Sequence, residues 1–295
     1  MIFFIVLFFV FIEKFLGTSY LNLLLITLTN LIFSSNNNLQ RTNRVVSTSG
    51  SSGMENIFKS YLNNLSDIKN KELVNSIFSQ VADNYDLMND VLSLGLHRIW
   101  KKQFVNFASF KDSDVVLDLA GGSGDITSLI KESNPKLDRI FVSDINKQML
   151  GKAKRKLENK NVKIVCHSAE KIPFRDNQFN YVLVAFGIRN FSDIELSIEE
   201  IYRILKNNGK FMCLEFSKVN RKSLRFFFKI YCDIIPYMGK YIANNQKAYK
   251  YLVDSINAFP NQVIFSKMLN KKGFKRIECF DLLDGLASIH IGEKI

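Results

Sequence analysis

One stretch constrains the fold more than any other, the run DVVLDLAGGSGDITSLI at residues 114–130. It begins as an apolar strand pattern and passes through three glycines. Ile126, Leu129 and Ile130 then follow at helical spacing. A buried strand that turns tightly into a helix is the building unit of a parallel sheet, in which ligands bind beyond the carboxyl ends of the strands. The stretch therefore predicts an α/β fold with a binding loop at residues 121–124.

The rest of the chain repeats the alternation of strand and helix. Four further apolar strand patterns follow in the order RIFVSDI, VKIVCHS, FNYVLVAFG and GKFMCLEFS, and helix patterns such as KQMLGKAKRKLEN and SIEEIYRILK separate them. The C-terminal FKRIECFDLLDGLASIHIGEKI has two strand patterns joined directly. These patterns predict a mostly parallel sheet covered by helices on both faces, with an antiparallel pair at one edge.

The N-terminal part differs in composition. Residues 1–33 are mostly apolar with Glu13 and Lys14 as the only charges, and residues 34–53 are rich in Ser and Asn. Each apolar run is too short to cross a bilayer easily, and the positively charged start of a secretory signal is missing. We expect residues 1–70 to be a targeting or anchoring segment with a flexible linker, followed by one folded domain over residues 71–295.

Charge and cysteine usage narrow the function classes. The chain carries a formal net charge of +12, mostly after residue 54, which favours an anionic partner such as nucleic acid or a membrane face. An ordinary solvated lysine surface is the alternative. No two of the 4 cysteines have metal-ligand spacing, and the 3 histidines are scattered, so the sequence predicts no metal site.

The glycine loop does not fit a phosphate ligand well. A dinucleotide fingerprint needs a third glycine where Thr127 stands, and a nucleotide P-loop needs a lysine that the loop lacks. Asp118, just below the loop, would repel a pyrophosphate and attract a cation. Asp144 ends the second strand, where a carboxylate can bind ribose hydroxyls. A ribose-bearing cation such as S-adenosylmethionine (SAM) satisfies both acids; the alternative is that they only cap helices.

The chain also resembles a known family. From Ile77 to the end, in order, stand VADNYDLMNDVLSLGLHRIWKK, LDLAGGSGD, SDINKQML, SAEKIPFRDNQFN, AFGIRNFSD, LEFSK, YLVDSINAFPNQ and GLASIHIGEKI. Together they resemble the ubiquinone/menaquinone biosynthesis C-methyltransferases. The resemblance implies a class I SAM-dependent methyltransferase fold, Rossmann-like, with a seven-stranded, mostly parallel sheet and an antiparallel last strand.

The implied activity is SAM-dependent C-methylation of a polyprenylated benzoquinol in ubiquinone biosynthesis, of the 2-methoxy-6-polyprenyl-1,4-benzoquinol methylase type. Two alternatives stay open. The acceptor is a demethylmenaquinone naphthoquinol, or the chain is a non-catalytic scaffold of a quinone-biosynthesis complex that keeps the fold.

The glycine loop, its flanking acids and the resemblance together give the expected cofactor-binding set. It comprises Asp118, Gly121, Gly122, Ser123, Gly124, Asp144, Ser168, Ala169 and Ala185. Two members depart from the family pattern, which more often has Asn or Asp in place of Ser168, and Ser or Asn in place of Ala185. Each departure removes a polar partner, a loss of about 0.5–1.5 kcal/mol where the original hydrogen bond was net stabilising.

Catalysis requires a group that stabilises or deprotonates the quinol. Arg189 in FGIRN is the leading candidate, acting on the phenolate directly or through a water, and surface pairing with Asp193 or Glu195 is the alternative. His97 and Asp90 are further candidates, although a lone histidine in such a helical segment is more often a packing residue.

Two helical regions are expected around the acceptor. Residues 71–110 are predicted to form a lid. Residues 218–262 form a basic and aromatic insert that either lines a channel for the polyprenyl tail and faces anionic lipid, or is an ordinary solvated insert. The expected partners are the polyprenyl quinol, a membrane surface and other quinone-biosynthesis proteins, with a homo-oligomer left open and no nucleic acid. The expected location is the matrix side of the mitochondrial inner membrane, with a plastid as the alternative.

Overall fold

The computed structural model describes residues 89–90, 93, 95–158, 160–222, 224–226, 228–233 and 246–295. The predicted targeting segment, residues 1–70, lies outside the described residues. So do most of the predicted lid before residue 95 and the part of the insert between residues 233 and 246.

Helices and strands alternate along the described chain in the predicted order. The helices are α1 (His97–Asn106), α2 (Asp125–Ser133), α3 (Lys147–Lys156), α4 (Ile194–Ile204), α5 (Gln246–Ala258) and α6 (Gln262–Lys271), with a 3-10 turn at Ile188–Asn190. The strands are β1 (Val115–Leu119), β2 (Arg139–Asp144), β3 (Val162–Cys166), β4 (Phe179–Ala185), β5 (Leu205–Phe216), β6 (Lys275–Leu282) and β7 (Ala287–Glu293).

The strands form one 7-stranded sheet in the order β3-β2-β1-β4-β5-β7-β6. β1 to β5 pair in parallel, and β7 is antiparallel to both β5 and β6. The predicted fold, including the antiparallel pair at the sheet edge, is confirmed. The strand order reverses between β1 and β4, so the loops that follow these two strands flank the switch point where such sheets bind ligands.

Neighbouring residues within each central strand face opposite helical layers. Val116 and Met212 belong to the core that includes α1, α2 and α5, whereas Leu117 and Phe211 belong to the core that includes α4 and α6. Successive side chains of a strand point to opposite faces, so strands apolar at every position must be covered on both sides. This explains the continuous apolar runs that the sequence shows.

Two elements begin earlier than their sequence patterns predict. α4 begins at Ile194 rather than Ser197, because the Asp193 side chain accepts a hydrogen bond from the backbone N–H of Leu196 at 2.9 Å and caps the helix earlier. β5 begins at Leu205, directly after α4. None of the helices in the described ranges is long and apolar enough to cross a membrane.

Candidate active site

A cavity opens at the switch point, bounded by the loops that follow β1, β2, β3 and β4. Its empty volume, counted together with the open solvent at its mouth, is about 790 Å³. Of the predicted cofactor-binding residues, Gly122, Asp144, Ser168 and Ala169 line it. The end of the sheet at which a ligand is expected therefore contains a cavity. Its walls come from the residues at the ends of β1, β2, β3 and β4.

Asp144 is one of two acidic residues that line this cavity. Its Oδ2 accepts a hydrogen bond from the backbone N–H of Gly122 at 3.0 Å, and its Oδ1 accepts one from that of Asn146 at 2.8 Å. Burial raises the pKa of Asp144, and these backbone donors act in the opposite direction. Each carboxylate oxygen has a further lone pair, so Asp144 can accept the two hydroxyls of a ribose.

The glycine loop leaves no room for side chains where the backbone meets β1 and β2. A Cβ on Gly121 would lie 2.8 Å from Cγ of Asp118 and 2.9 Å from Cγ1 of Val142. Gly122 has a φ of +54°, a conformation that side chains rarely adopt. The loop thus brings bare backbone to the cavity wall beside Asp144, which fits the ribose of a bound SAM molecule.

Asp118 does not line the cavity, which corrects the expectation that its charge faces the ligand. The side chain is 1 % exposed, and its Oδ2 accepts hydrogen bonds from the backbone N–H of Thr127 at 3.2 Å and from its hydroxyl at 2.8 Å. Burial raises the pKa of Asp118 to about 7, against the effect of the Thr127 donors. These hydrogen bonds therefore connect the end of β1, directly before the glycine loop, to α2.

The other predicted cofactor residues lie behind the lining. Gly121 and Gly124 shape the turn into α2, and the Ser123 hydroxyl donates to Asp125 at 3.3 Å. Ala185 packs on the core beneath α1, and the next two residues, Phe186 and Gly187, line the cavity in its place. Ala185 itself is not part of the lining, and its cofactor contact stays a prediction.

Asn146 and Glu170 are among the cavity residues that were not identified from the sequence. Asn146 lines the cavity and caps α3 by accepting from the backbone N–H groups of Gln148 and Met149. Glu170 also lines it and accepts from the backbone N–H of Ser192 at 2.7 Å, which joins the loop after β3 to the turn after β4. Asn146 could have been identified from the sequence, because it stands two residues after Asp144 and directly before a helix pattern, where asparagine commonly caps a helix.

Arg189 follows β4 on the 3-10 turn, and its side chain is completely buried. Its Nη1 donates to Oε1 of Glu215 at 2.6 Å and to the carbonyl oxygen of Phe186 at 2.9 Å. The predicted alternative, a surface pair with Asp193 or Glu195, is wrong, because Asp193 caps α4 and Glu195 pairs with Lys272.

Glu215 is the partner that the sequence interpretation missed. It stands in β5, within the motif LEFSK, and is also completely buried. Burial raises its pKa, and the Arg189 charge opposes that rise. The pair could have been suspected from the sequence, because Glu215 stands in the apolar run FMCLEF and a buried acid needs a partner.

An aromatic wall stands beside Arg189. Its members are Trp100 of α1, Phe186 after β4 and Phe216 at the end of β5, with ring centroids 4.9 to 6.5 Å apart. The Arg189 guanidinium carbon lies 5.5 Å from the Phe216 ring centre. Phe186 belongs both to this wall and to the cavity lining, so the wall and the cavity are adjacent.

α1, the described part of the predicted lid, contacts elements at the carboxyl end of the sheet. Besides the Trp100 contacts, Nζ of Lys101 lies 2.6 Å from Oδ2 of Asp125, the first residue of α2. On the opposite side of the turn, the Tyr251 hydroxyl of α5 donates to Asn190 at 3.1 Å. Within the described residues, the predicted lid and the end of the predicted insert both reach the turn that carries Arg189.

The other catalytic candidates, His97 and Asp90, contact each other. The Nε2 atom of His97 lies 2.8 Å from Oδ1 of Asp90. The same carboxylate accepts two hydrogen bonds from Arg98, one on each of its oxygens. Since the carboxylate can only accept, Nε2 carries the proton and Nδ1 keeps its lone pair. Nδ1 is buried and has no hydrogen-bond partner among the described residues. Burial, and next the Lys101 charge, lower the pKa of His97, so the ring is neutral at pH 7.

The predicted tail channel is described only in part. Phe226 is 59 % exposed, Tyr231 is buried, and Phe228 packs against the core, whereas Phe227 and Tyr237 lie outside the described residues. The tail channel therefore stays a prediction.

Comparison with known proteins decides the family. Residues 65–294 match the model of the ubiE/COQ5 methyltransferase family. The chain belongs to this family. It is 46% identical over 235 residues to the ubiquinone/menaquinone biosynthesis C-methyltransferase UbiE of Rickettsia prowazekii (strain Madrid E), which spans 77% of this chain and 94% of the relative. It is also 46% identical over 233 residues to the UbiE protein of Rickettsia bellii (strain OSU 85-389), which spans 76% and 94%.

Solved structures support the fold. A SAM-dependent methyltransferase from Thermotoga maritima aligns with a TM-score of 0.53 at 17% identity, over 75% of this chain and 100% of that one. Another from Aquifex aeolicus aligns with a TM-score of 0.52 at 15% identity, over 70% and 98%. Family and fold together make this ubiE/COQ5 protein a SAM-dependent C-methyltransferase, and the cavity beside Asp144 fits its cofactor.

Proposed function

We propose that this chain methylates a ring carbon of a polyprenylated benzoquinol in ubiquinone biosynthesis. The observation that carries the proposal is the completely buried guanidinium of Arg189, which lies against an aromatic wall adjacent to the cofactor cavity. A flat, apolar ring with a phenolic oxygen is the kind of acceptor that such surroundings suit. The relatives are named for ubiquinone/menaquinone biosynthesis, which supports the same substrate class.

The chemistry divides between the cofactor and the chain. Bound SAM supplies an electrophilic methyl group. Asp144 and the backbone of Gly122 would hold SAM, which would supply this methyl to a ring carbon, and the chain would then have to accept the proton that the same carbon loses. The chain's part is to make the ring carbon nucleophilic and to hold the ring in line.

We assign these tasks to two places in the site. The Arg189 guanidinium stabilises the negative charge on the quinol oxygen, because a buried cation interacts strongly with a nearby oxyanion. His97, kept neutral by burial and oriented by Asp90, is the base that accepts a proton through Nδ1.

The demethylmenaquinone naphthoquinol and the non-catalytic scaffold are the competing functions. A host that lacks both quinone methylation steps, complemented with this chain, tests all three. We expect methylated ubiquinone to be restored and identified by mass spectrometry. Restoration of menaquinone alone would favour the naphthoquinol, and restoration of neither, with stable protein present, would favour the scaffold.

We further propose that the protein acts at the matrix side of the mitochondrial inner membrane. The support is the apolar and then Ser/Asn-rich composition of residues 1–70, together with the net charge of +12, which favours contact with an anionic membrane surface. Other quinone-biosynthesis proteins are the expected partners. A fluorescent reporter fused after residue 70 tests the address, and cytosolic or plastid fluorescence would contradict it.

A further inference from the structure

The inference begins with a helix that follows β5. The described residues between 222 and 233 are helical, and one side of this 222–233 helix packs on the sheet. That side is formed by Leu224, Phe228, Tyr231 and Cys232. The Arg225 guanidinium donates two hydrogen bonds to the carbonyl oxygen of Val219, at 3.1 and 2.9 Å. These bonds fix the start of the helix to the chain that leaves β5.

The opposite side of the 222–233 helix combines cations with an exposed aromatic ring. Its members stand three and four residues apart, so they form one outer stripe, made of Lys222, Arg225, Phe226 and Lys229. Phe226 is 59 % exposed. Asp233, at the far end of the stripe, is its only acid among the described residues. The ring is therefore displayed to solvent in basic surroundings.

Helix α1 shows the same combination on the same face of the sheet. Ile99 is 55 % exposed, and the charged residues exposed beside it on the helix, Arg98 and Lys102, are both basic. Trp100 of α1 and Tyr231 of the 222–233 helix belong to one core cluster, so the two helices cover one face of the sheet. Exposed apolar side chains among cations thus occur on both helices of this layer.

The other face of the sheet differs in charge. There the exposed Leu196 of α4 stands between Glu195 and Glu199, and α4 packs on the second core. Apolar side chains among Lys and Arg bind the interface of an anionic bilayer, because the cations meet the headgroup phosphates while the apolar groups enter between the lipids. Carboxylates beside an apolar residue are repelled by such a surface. The charges therefore favour one face of the protein for contact with a bilayer.

We infer that the outer stripe of the 222–233 helix, with Phe226 as its anchor, docks this chain on an anionic phospholipid bilayer. The inference names the surface for the proposed membrane location, and it rests on the proposed function in that a polyprenylated acceptor lies in a bilayer. β5 ends at Phe216, in the aromatic wall beside Arg189, and the helix begins six residues later. The docked stripe therefore follows directly from the end of the sheet where the acceptor is expected.

A fluorescent probe on the stripe tests the contact with the full chain. The chain has 1 tryptophan, Trp100, which is buried, so Phe226→Trp adds an emission from a solvent-exposed position. The vesicles are phosphatidylcholine in which one lipid in four is phosphatidylglycerol, with and without brominated acyl chains. We expect the added emission to shift to shorter wavelength and to be quenched by the brominated chains, because the ring enters apolar surroundings.

Leu196→Trp places the same probe on the opposite face and is the control, with no shift or quenching expected. Unchanged emission of Phe226→Trp would overturn the inference. This holds even where residues 1–70 keep the chain on the vesicle, because the probe reports only the surroundings of its own position.

Vesicle sedimentation measures what the ring and the cations of the stripe contribute. Phe226→Ala is expected to weaken binding about tenfold, and Lys222→Gln/Lys229→Gln about 25-fold, at about fivefold for each charge near an anionic surface. The matched control Lys154→Gln/Arg155→Gln removes the same charge from exposed positions on α3 and is expected to lose less than about threefold. Equal losses in the two double variants would show that net charge alone drives binding and would overturn the inference.

Two comparisons separate the docking from its alternatives. A shift of the Phe226→Trp emission with heparin but not with vesicles would assign the stripe to a soluble polyanion and overturn the inference. Methylation of a short-tailed quinol without vesicle contact of the stripe would leave the proposed function intact and overturn the docking. Vesicle contact of the stripe without methylation of any quinol would support the docking and overturn the proposed function.

Discussion

The Oδ2 atom of Asp144 and the backbone nitrogen of Gly122 lie 3.0 Å apart, so one hydrogen bond joins the end of β2 to the glycine loop after β1. Two of the elements that build the cavity are therefore connected through the acid that is predicted to bind the ribose. Removing that acid affects both the direct contact and the placement of the loop.

We expect Asp144→Ala to weaken SAM binding by about 10- to 100-fold, from the loss of about 1.5–3 kcal/mol of charge-assisted hydrogen bonding. Titration calorimetry of the purified protein measures the change. Asp138→Ala, at an exposed position that follows α2, is the control and is expected to bind normally. Unchanged affinity in Asp144→Ala would remove this residue from the cofactor site.

Asp118 gives a prediction for stability against pH. Its pKa is raised by burial to about 7 in the folded chain, from an ordinary value of 3.8. The folded state therefore binds the proton more tightly, and this residue's contribution to stability falls as the pH rises from about 4 to about 7. Asp118→Asn keeps an acceptor for Thr127 but cannot ionise.

The gain in unfolding free energy from Asp118→Asn is thus expected to grow with pH and to level off above pH 7, with an upper limit of about 4 kcal/mol. Urea unfolding of the parent and the Asp118→Asn variant at pH 5, 6, 7 and 8 measures the difference in unfolding free energy. The contributions of all other titrating groups cancel in that difference. The exposed Asp138→Asn is the control. A gain that does not depend on pH would show that the buried carboxylate is ionised throughout.

Arg189 and Glu215 must be altered together to separate stability from catalysis. Arg189→Ala leaves the Glu215 carboxylate buried without its partner, which costs about 3–5 kcal/mol of stability. The double variant Arg189→Ala/Glu215→Gln removes that charge, so we expect it to recover much of the stability. Turnover is expected to stay about 10²- to 10³-fold low in both, on the scale of losing one oxyanion donor.

SAM affinity is expected to stay within about twofold in the double variant, because Arg189 does not line the cofactor cavity. Thermal unfolding, calorimetry and single-turnover assays with a short-tailed quinol give the three readouts. Parental turnover in the double variant would make the ion pair a purely structural feature of the core.

The sequence predicted the sheet well because its strands are buried on both faces and read as short apolar runs. The glycine loop and Asp144 could be placed at the ligand end of the sheet from the sequence, because the loop follows β1 and Asp144 ends β2. The Arg189–Glu215 pair was not predicted, since its members are 26 residues apart and meet only through the pairing of β4 with β5. The role of Asp118 was wrong for a related reason, because the position of an acid at a strand end does not reveal which side of the loop it faces.

His97 gives the last prediction, which concerns the pH dependence of catalysis. Burial and Lys101 lower its pKa, Asp90 acts to raise it, and Arg98 lowers it further, with a net decrease from 6.5. As a base His97 must be neutral, so kcat/KM is expected to fall on the acid side, at a pH below 6.5. Asp90→Asn removes a carboxylate that favours the protonated ring, and the acid limb is therefore expected to move to lower pH.

His97→Gln is expected to lower kcat/KM by about 10²- to 10⁴-fold and to abolish that limb, while SAM affinity, measured separately, stays unchanged. Profiles from pH 5 to pH 8 with a short-tailed quinol provide the measurement, and Arg276→Lys is the surface control. A variant with the parental acid limb and near-parental kcat/KM would make His97 a packing residue of the lid, because a base cannot be removed without removing its titration.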